Sequence, residues 1–280
     1  MRDGEIDCHD RGRSGWPVGG SLAFSRAIER RYLDLGGEIH YKSRVEKILV
    51  ENNRAVGVRL ADSTEHRADI IISAADGHAT IFDMLEGKYV NDRVRSYYSD
   101  APESQPFALH VFLGVAREFA HEPHSIALLL EQPVTIADKV RERLDVELFN
   151  FDPSLAPAGK SVVKVVFDSS YAFWKDLYEQ HERYQAEKSR VAEIVIGLLE
   201  KRFPGIREQV EVIDVTTPVT VERYTDNWHG FQAWPPKRNA MAVMRKGLSR
   251  TLPGLENFYM AGQWAGAMVG LWWPGIQAAP

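Results

Sequence analysis

Asn257-Phe-Tyr-Met-Ala-Gly-Gln-Trp-Ala-Gly-Ala-Met-Val-Gly-Leu-Trp-Trp-Pro-Gly-Ile-Gln277 is the stretch whose residue types and spacing best suit chemistry. A short apolar strand, Phe258 to Ala261, breaks at Gly262, and glycines recur at 266 and 270. Pro274-Gly275 offers a helix start, because proline suits the first helical turn. A strand feeding a glycine-rich loop that ends at a helix brings backbone N–H groups close to a ligand and favours a negative group there. Tyr224, Trp228, Phe231, Trp234, Trp264, Trp272 and Trp273 add a second signal, with five of the seven tryptophans in the last 55 residues. Aromatic-lined clefts surround flat ligands, so a planar heterocycle or an apolar substrate is the natural guest. Aromatics that simply fill a core are the competing reading.

The same stretch has two plainer readings. Met260 to Pro280 holds no charged residue, and Gly266-Ala-Met-Val-Gly270 has the small-xxx-small spacing of packed membrane helices. Repeated glycines and an internal proline oppose an isolated spanning helix. A buried strand followed by an ordinary loop is the other alternative.

Other chemical signatures are missing. The sequence has no Gly-x-Gly-x-x-Gly, no Walker loop, no His-Glu-x-x-His and no Gly-x-Ser-x-Gly. His121 and His124 flank a proline in a loop-like context, which favours solvent over a metal. Asp176 with Glu179, and Glu182 with Glu187, read as solvated helix faces. Arg223, Tyr224 and His229 lie close together, but none is marked as a general base. Cys8 is the only cysteine, which excludes an internal disulfide and fits a reducing, cytoplasmic setting.

The elements that must hold the glycine loop come next. Ser21 is a plausible cap for a helix with Leu22, Ala23, Ala27, Ile28 and Leu35 on its apolar face, stopped by Gly36-Gly37. Glu38–Tyr41, Val45–Val50, Ala55–Leu60 and Glu65–Ala68 read as strands, the second and third joined by a hairpin at Glu51–Arg54. Asp69–Ala75 is an apolar run of the kind buried on both faces of a sheet. Its small end, Ser73-Ala74-Ala75, predicts close packing at the carboxyl end of a strand, where open α/β sheets bind ligands. Beyond Asp83, Phe107–Val115, Ser125–Leu130, Val146–Phe151 and Val162–Phe167 predict a mostly antiparallel second sheet. A helix over Glu182–Phe203 and a strand over Val212–Val219 follow.

The expected class is therefore α/β with α+β mixing, a nucleotide-binding sheet followed by a mostly antiparallel second sheet; that the first is an incomplete Rossmann-like domain and the second an inserted substrate domain is what the family resemblance given below implies. The expected divisions are 1–82, 83–225 and 226–280. The 280 residues are 44% apolar and 26% charged with net charge −5, which gives no basic face for nucleic acid. The first fifteen residues are polar, so no signal peptide is expected, and contact with a membrane surface stays open.

Three blocks resemble the flavoprotein family of phytoene desaturases, carotenoid isomerases and retinol saturases, within the amine-oxidase-like superfamily. They are Trp16-Pro-Val-Gly-Gly20 through Ala68-Asp-Ile-Ile-Ile-Ser-Ala-Ala-Asp76; Thr217-Pro-Val-Thr-Val-Glu-Arg-Tyr-Thr225 with Gly230 and Trp234; and Gly254-Leu-Glu-Asn-Phe-Tyr-Met-Ala-Gly-Gln-Trp264 with Gly270 and Pro274. The resemblance implies FAD and redox or redox-assisted chemistry on an apolar, polyene-like small molecule. It implies that Val45 lies by the adenine, Ala74 and Ala75 by the dinucleotide, and Gly262, Gln263 and Trp264 by the phosphate and ribityl region. Gly270, Leu271 and Trp272 would meet the flavin end, with Tyr224, Gly230 and Trp234 around the substrate or flavin cavity. No metal is implied. The family's first strand–glycine loop–helix unit is not in the sequence, and Gly262-Gln263 replaces a frequent Gly-Asp. The expectation is thus part of a flavoenzyme that needs a missing N-terminal segment to hold FAD. A non-catalytic module for an apolar ligand and an inactive truncated remnant are the alternatives.

Overall fold

The structure, a computed structural model, describes residues 17–99, 106–230 and 249–262. Helix α1, Gly20–Asp34, is entered through Gly19 at φ 80°, and Gly36 at φ 87° follows its end. The cap is therefore Gly19 and not Ser21, because the Gly19 N–H is held by Asp152 Oδ2 at 2.7 Å, which sets the angle of entry. No residue of α1 is buried, so its expected apolar face has no cover among the described residues.

Strands β1, Val45–Glu51, and β2, Arg54–Leu60, form the expected antiparallel hairpin. Asn52 and Asn53 turn it at φ 48° and 62°, a conformation asparagine tolerates in two-residue hairpins. Glu38–Tyr41 is not a strand; its polar and exposed residues find no ladder among the described ones. Strand β3, Glu65–Arg67, adds the third member of an order β1-β2-β3.

Strand β4 is shorter than its apolar run, Ile71–Ser73, and only half covered. Ile70 and Ile72 are 55% and 64% exposed, which corrects the expectation of burial on both faces. A π-helical turn over Ala79–Met84 and helix α2, Asp92–Ser99, follow.

Strands β5, Pro106–Val115; β6, Ser125–Ile136; β7, Lys139–Leu148; and β8, Ser161–Ser170, build the second sheet. The sequence places a strand at Val146–Phe151, whereas β7 begins at Lys139 and ends at Leu148. Its charged outward positions, Arg143, Asp145 and Glu147, hide the alternation with Leu144, Val146 and Leu148. Helices α3, Tyr171–Tyr178; α4, His181–Arg202; and the short α5, Ile206–Gln209, lead to β9, Val210–Thr216. The sheet is antiparallel throughout, in the order β6-β7-β8-β5-β9. Helix α6, Pro218–Thr225, takes Val219 out of the expected strand, because Thr217 and Thr220 form a reciprocal capping box and Pro218 fits the first turn. Strand β10, Phe258–Met260, closes the described chain.

Two apolar cores result. Leu109, Val111, Leu113, Val163, Val165 and Trp174 meet Val191, Val195 and Leu199 of α4 in the larger one. The smaller joins Ile48, Ala55, Ile81, Leu85, Leu255, Phe258 and Met260. Tyr171 packs against both.

Candidate functional site

Strands β4 and β10 pair in parallel, Ile71 opposite Phe258 and Ser73 opposite Met260. Residues 188 positions apart are locked at the entrance, where Asn257 at φ 56° donates its amide to the Asp69 carbonyl at 2.6 Å. At the exit the Ala261 N–H donates to the Ser73 carbonyl at 2.8 Å. Both carboxyl ends therefore release small residues side by side: Ala74 and Ala75 from one strand, Ala261 and Gly262 from the other. Ala74, Ala75 and Gly262 are exposed, and Gly262 sits at φ 74°. A crevice at the carboxyl ends of parallel strands lets backbone groups approach a dinucleotide closely.

Asp76 is the next residue along and is only 2% exposed. Its Oδ1 accepts the Ala79 N–H at 2.8 Å, and its carbonyl accepts that of Thr80 at 2.9 Å. These bonds start the π-helical turn, a distortion often found at functional sites. Oδ2 has no hydrogen-bond partner among the described residues. Burial raises the carboxyl to about 6, while the nearby N–H groups of Ala79, Trp228 and His78 act in the opposite direction.

Beyond Asp76 a column of rings crosses from the smaller core to the larger. His78 stacks on Trp228 at 4.6 Å and 2°, Trp228 on His229 at 4.0 Å, and His229 on Tyr171 at 4.4 Å. Glu222 ties the far end, accepting the Tyr171 hydroxyl at 2.6 Å and the His229 N–H at 3.0 Å. Burial lowers the pKa of His78, and burial reinforced by Glu222 raises that of the Tyr171 hydroxyl. His229 holds φ 56° and Gly230 φ 73°. A Cβ on Gly230 would lie 2.3 Å from the Pro218 carbonyl oxygen, so only glycine fits this turn.

The sequence-derived candidates separate accordingly. Ala74, Ala75 and Gly262 come together. Val45 opens β1 at the end of the hairpin remote from Asn53, whose carbonyl accepts the Glu256 N–H just before β10. Tyr224 is 76% exposed on α6, and Gly230 is buried under Pro218. Gln263, Trp264, Gly270, Leu271, Trp272 and Trp234 lie outside the described residues. Sequence reasoning did not single out Asp76, His78, Tyr171 or Glu222 as site residues. Asp76 closed the first block of resemblance, and Trp228 and His229 stood in the aromatic region, which were the only signals. No cluster of three metal-ligating side chains and no helix long and apolar enough to cross a membrane occur among the described residues.

A parallel strand pair with small residues at its exit, beside an inserted antiparallel sheet, defines a Rossmann-like dinucleotide domain with a sheet domain. An oxidoreductase from Methanosarcina mazei has this fold, matching at a TM-score of 0.52 and 23% identity over 89% of this chain and 50% of its own. The chain belongs to the flavin-containing amine oxidoreductase family, whose model matches residues 6–279. It is 27% identical over 254 residues to a chloroplastic prolycopene isomerase of Arabidopsis thaliana, covering 90% of this chain and 42% of that protein. It is 26% identical over 221 residues to a lycopene-forming phytoene desaturase of Pseudescherichia vulneris, covering 72% of this chain and 42% of that one. The chain thus spans about two fifths of these curated relatives.

Proposed function

We propose that this chain supplies the substrate sheet and one wall of the cofactor crevice in an FAD-dependent oxidoreductase acting on an apolar polyene. The observation that carries the reading is the joint exit of β4 and β10, with Ala74, Ala75 and Gly262 side by side. Those residues leave room for the dinucleotide and offer backbone donors to it. FAD, when bound, supplies hydride or transient electron acceptance; the protein contributes orientation and electrostatics. The ring column His78-Trp228-His229-Tyr171 fixes the inserted sheet relative to the crevice, so that a substrate on the sheet side stays aligned with it. Val45, Gln263, Trp264, Gly270, Leu271 and Trp272 belong to the proposed cofactor site, and Tyr224, Gly230 and Trp234 to the proposed cavity margin. Polyenes partition into membranes, so contact of the working protein with a membrane surface is part of the proposal.

The glycine fingerprint that cradles the pyrophosphate is proposed to come from a further strand–loop–helix segment. The bare side of β4, with Ile70 and Ile72 exposed, supports this, since parallel sheets are normally covered on both faces. Purified by itself, the 280-residue chain should show little flavin absorbance; mixed or fused with a segment carrying Gly-x-Gly-x-x-Gly, it should turn yellow at one FAD per chain. Stoichiometric FAD on the chain alone would remove the need for that segment. Absence of flavin in both cases, with a fluorescent polyene retained and then lost in Trp234→Ala, would replace the enzyme reading by an apolar-ligand module.

A further inference from the structure

We propose that β6, an outer strand of the antiparallel sheet, is an interface: it pairs edge to edge with β6 of a second copy of this chain, joining two five-stranded sheets into one. The pairing stands apart from the flavin reading and needs no ligand.

The backbone register shows which groups are on offer. Among the described residues β6 pairs only with β7, Ser125 opposite Glu147 through Leu129 opposite Arg143. The Leu148 N–H donates to the His124 carbonyl at 2.7 Å, and bonded and unbonded positions alternate along an antiparallel pair. Ile126 and Leu128 therefore bond to β7, whereas Ser125, Ala127 and Leu129 point their N–H and C=O groups out of the sheet. These three residues are also exposed, Leu129 at 83%. On the opposite face Ile126, Leu128 and Leu130 are only partly covered by the core that holds α4. Beside them lies a groove of about 600 Å³, bordered by Leu198, Lys201 and Arg202.

A second copy is the occupant that the charges favour. Edge strands are usually blunted by a charge, a proline or a bulge, because unpaired backbone groups invite another strand. Ser125–Leu129 contains none of these; the register break and Pro133 come only after Leu129. The opposite edge of the sheet differs. β9 carries Glu211 and Asp214, so two β9 edges would bring acids together. The uncharged run of β6 meets its own copy without repulsion, and its rim is self-complementary. Glu131 and Lys201 lie 3.6 Å apart with side chains 86% and 67% exposed, so a two-fold axis through the strand offers both signs to both copies. With the axis at Ala127, that residue faces its own copy, Ser125 faces Leu129 and Ile126 faces Leu128 across the seam. The outward groups of Ser125, Ala127 and Leu129 are then in register to bond. Each copy uses this edge once, so assembly stops at two.

Sedimentation equilibrium and amide exchange of the 280-residue chain test the pairing. The chain should pass from monomer to dimer as its concentration rises, with the Ala127 and Leu129 N–H groups becoming protected in step. Ala127→Pro removes an outward N–H that β7 does not use, and Leu129→Lys adds a charge to an open side chain, so circular dichroism should match the parent's. Each should weaken the dimer by roughly tenfold or more, through lost seam hydrogen bonds or like charges brought together. Should the proline distort the strand, the lysine variant decides alone. A dimer equally tight in the variants overturns the proposal, as does a chain that stays monomeric at every concentration. Open-ended larger species would mean that β6 meets β9 instead, and overturn it too. Protection of β6 that appears only on adding the segment with Gly-x-Gly-x-x-Gly would give the edge to that segment and not to a second copy.

Discussion

The antiparallel sheet and the parallel strand pair are stabilised in different ways. In the first, β5, β8 and β7 bury Leu109, Val111, Leu113, Val163, Val165 and Leu144 against α4. Some polar groups there are matched, since Trp174 donates to Ser169 at 2.8 Å and Ser169 to Asp138 at 2.6 Å, but Arg141 Nε and Gln209 Oε1 are buried without a partner among the described residues. In the second, the pair has two short strands, Ile72 and Tyr259 are open at 64% and 43%, and α1 buries nothing. The buried Asp76 is left with an unmatched oxygen. The antiparallel region has a deep core around α4 although Leu129 and Val140 stay exposed on its sheet, whereas the strand pair is short and thinly covered.

The contrast can be sharpened by substitution. Trp174→Ala, in the completed core, should cost about 3–5 kcal/mol, read as a fall in the denaturant midpoint. A loss near zero would mean that the antiparallel region is as loosely covered as α1. Asp76 gives the next effect. Its carboxyl lies at 3.8 unfolded and about 6 folded, so the folded chain holds a proton that the unfolded chain has already released between those values. Stability should therefore fall as pH rises through that window and level off above it. The separation corresponds to roughly 3 kcal/mol, and Asp76→Asn should gain on the parent by about that much between pH 4 and pH 7. Parallel pH profiles would show that Oδ2 is already satisfied.

Gly230→Ala tests the link between the regions. The added carbon meets the Pro218 carbonyl at 2.3 Å, and φ 73° is unfavourable for alanine, so a cost of about 1–3 kcal/mol is expected. Its distinctive mark should be loss of the near-ultraviolet circular dichroism contributed by the stacked Trp228. Thr217→Ala, which breaks the capping box and the bond to the Tyr184 hydroxyl, should cost about 0.5–2 kcal/mol. Smallest of all, Ile28→Ser on α1 should change stability by less than about 0.5 kcal/mol in the chain alone. A large loss there would show the apolar face to be covered already.

Legibility in the sequence followed the same division. Helix α4 and the β1–β2 hairpin were readable because period and turn residues act locally: Val191, Val195 and Leu199 repeat at helical spacing, and Asn52-Asn53 suits the turn. The exits of β4 and β10 were readable as small residues after apolar runs, although their pairing was not. β7 was obscured by charges on the face turned away from α4. The ring column gathers His78, Trp228, His229 and Tyr171 from three distant segments, and no period records such a meeting. Asp76 looked like any aspartate that ends a strand; only packing reveals that one of its oxygens is stranded.

The bond from Asn257 to the Asp69 carbonyl has a consequence in time. It closes a loop of 188 positions, and the entropy of such a closure grows with loop length. Contacts so distant along the chain are made late unless the intervening segment has already condensed. The antiparallel sheet and α4 lie wholly within that loop. They are expected to fold first and draw residues 69 and 257 within reach, so that the β4–β10 pair is assembled last. Amide exchange during refolding should protect Val165 and Val195 well before Ile71 and Tyr259.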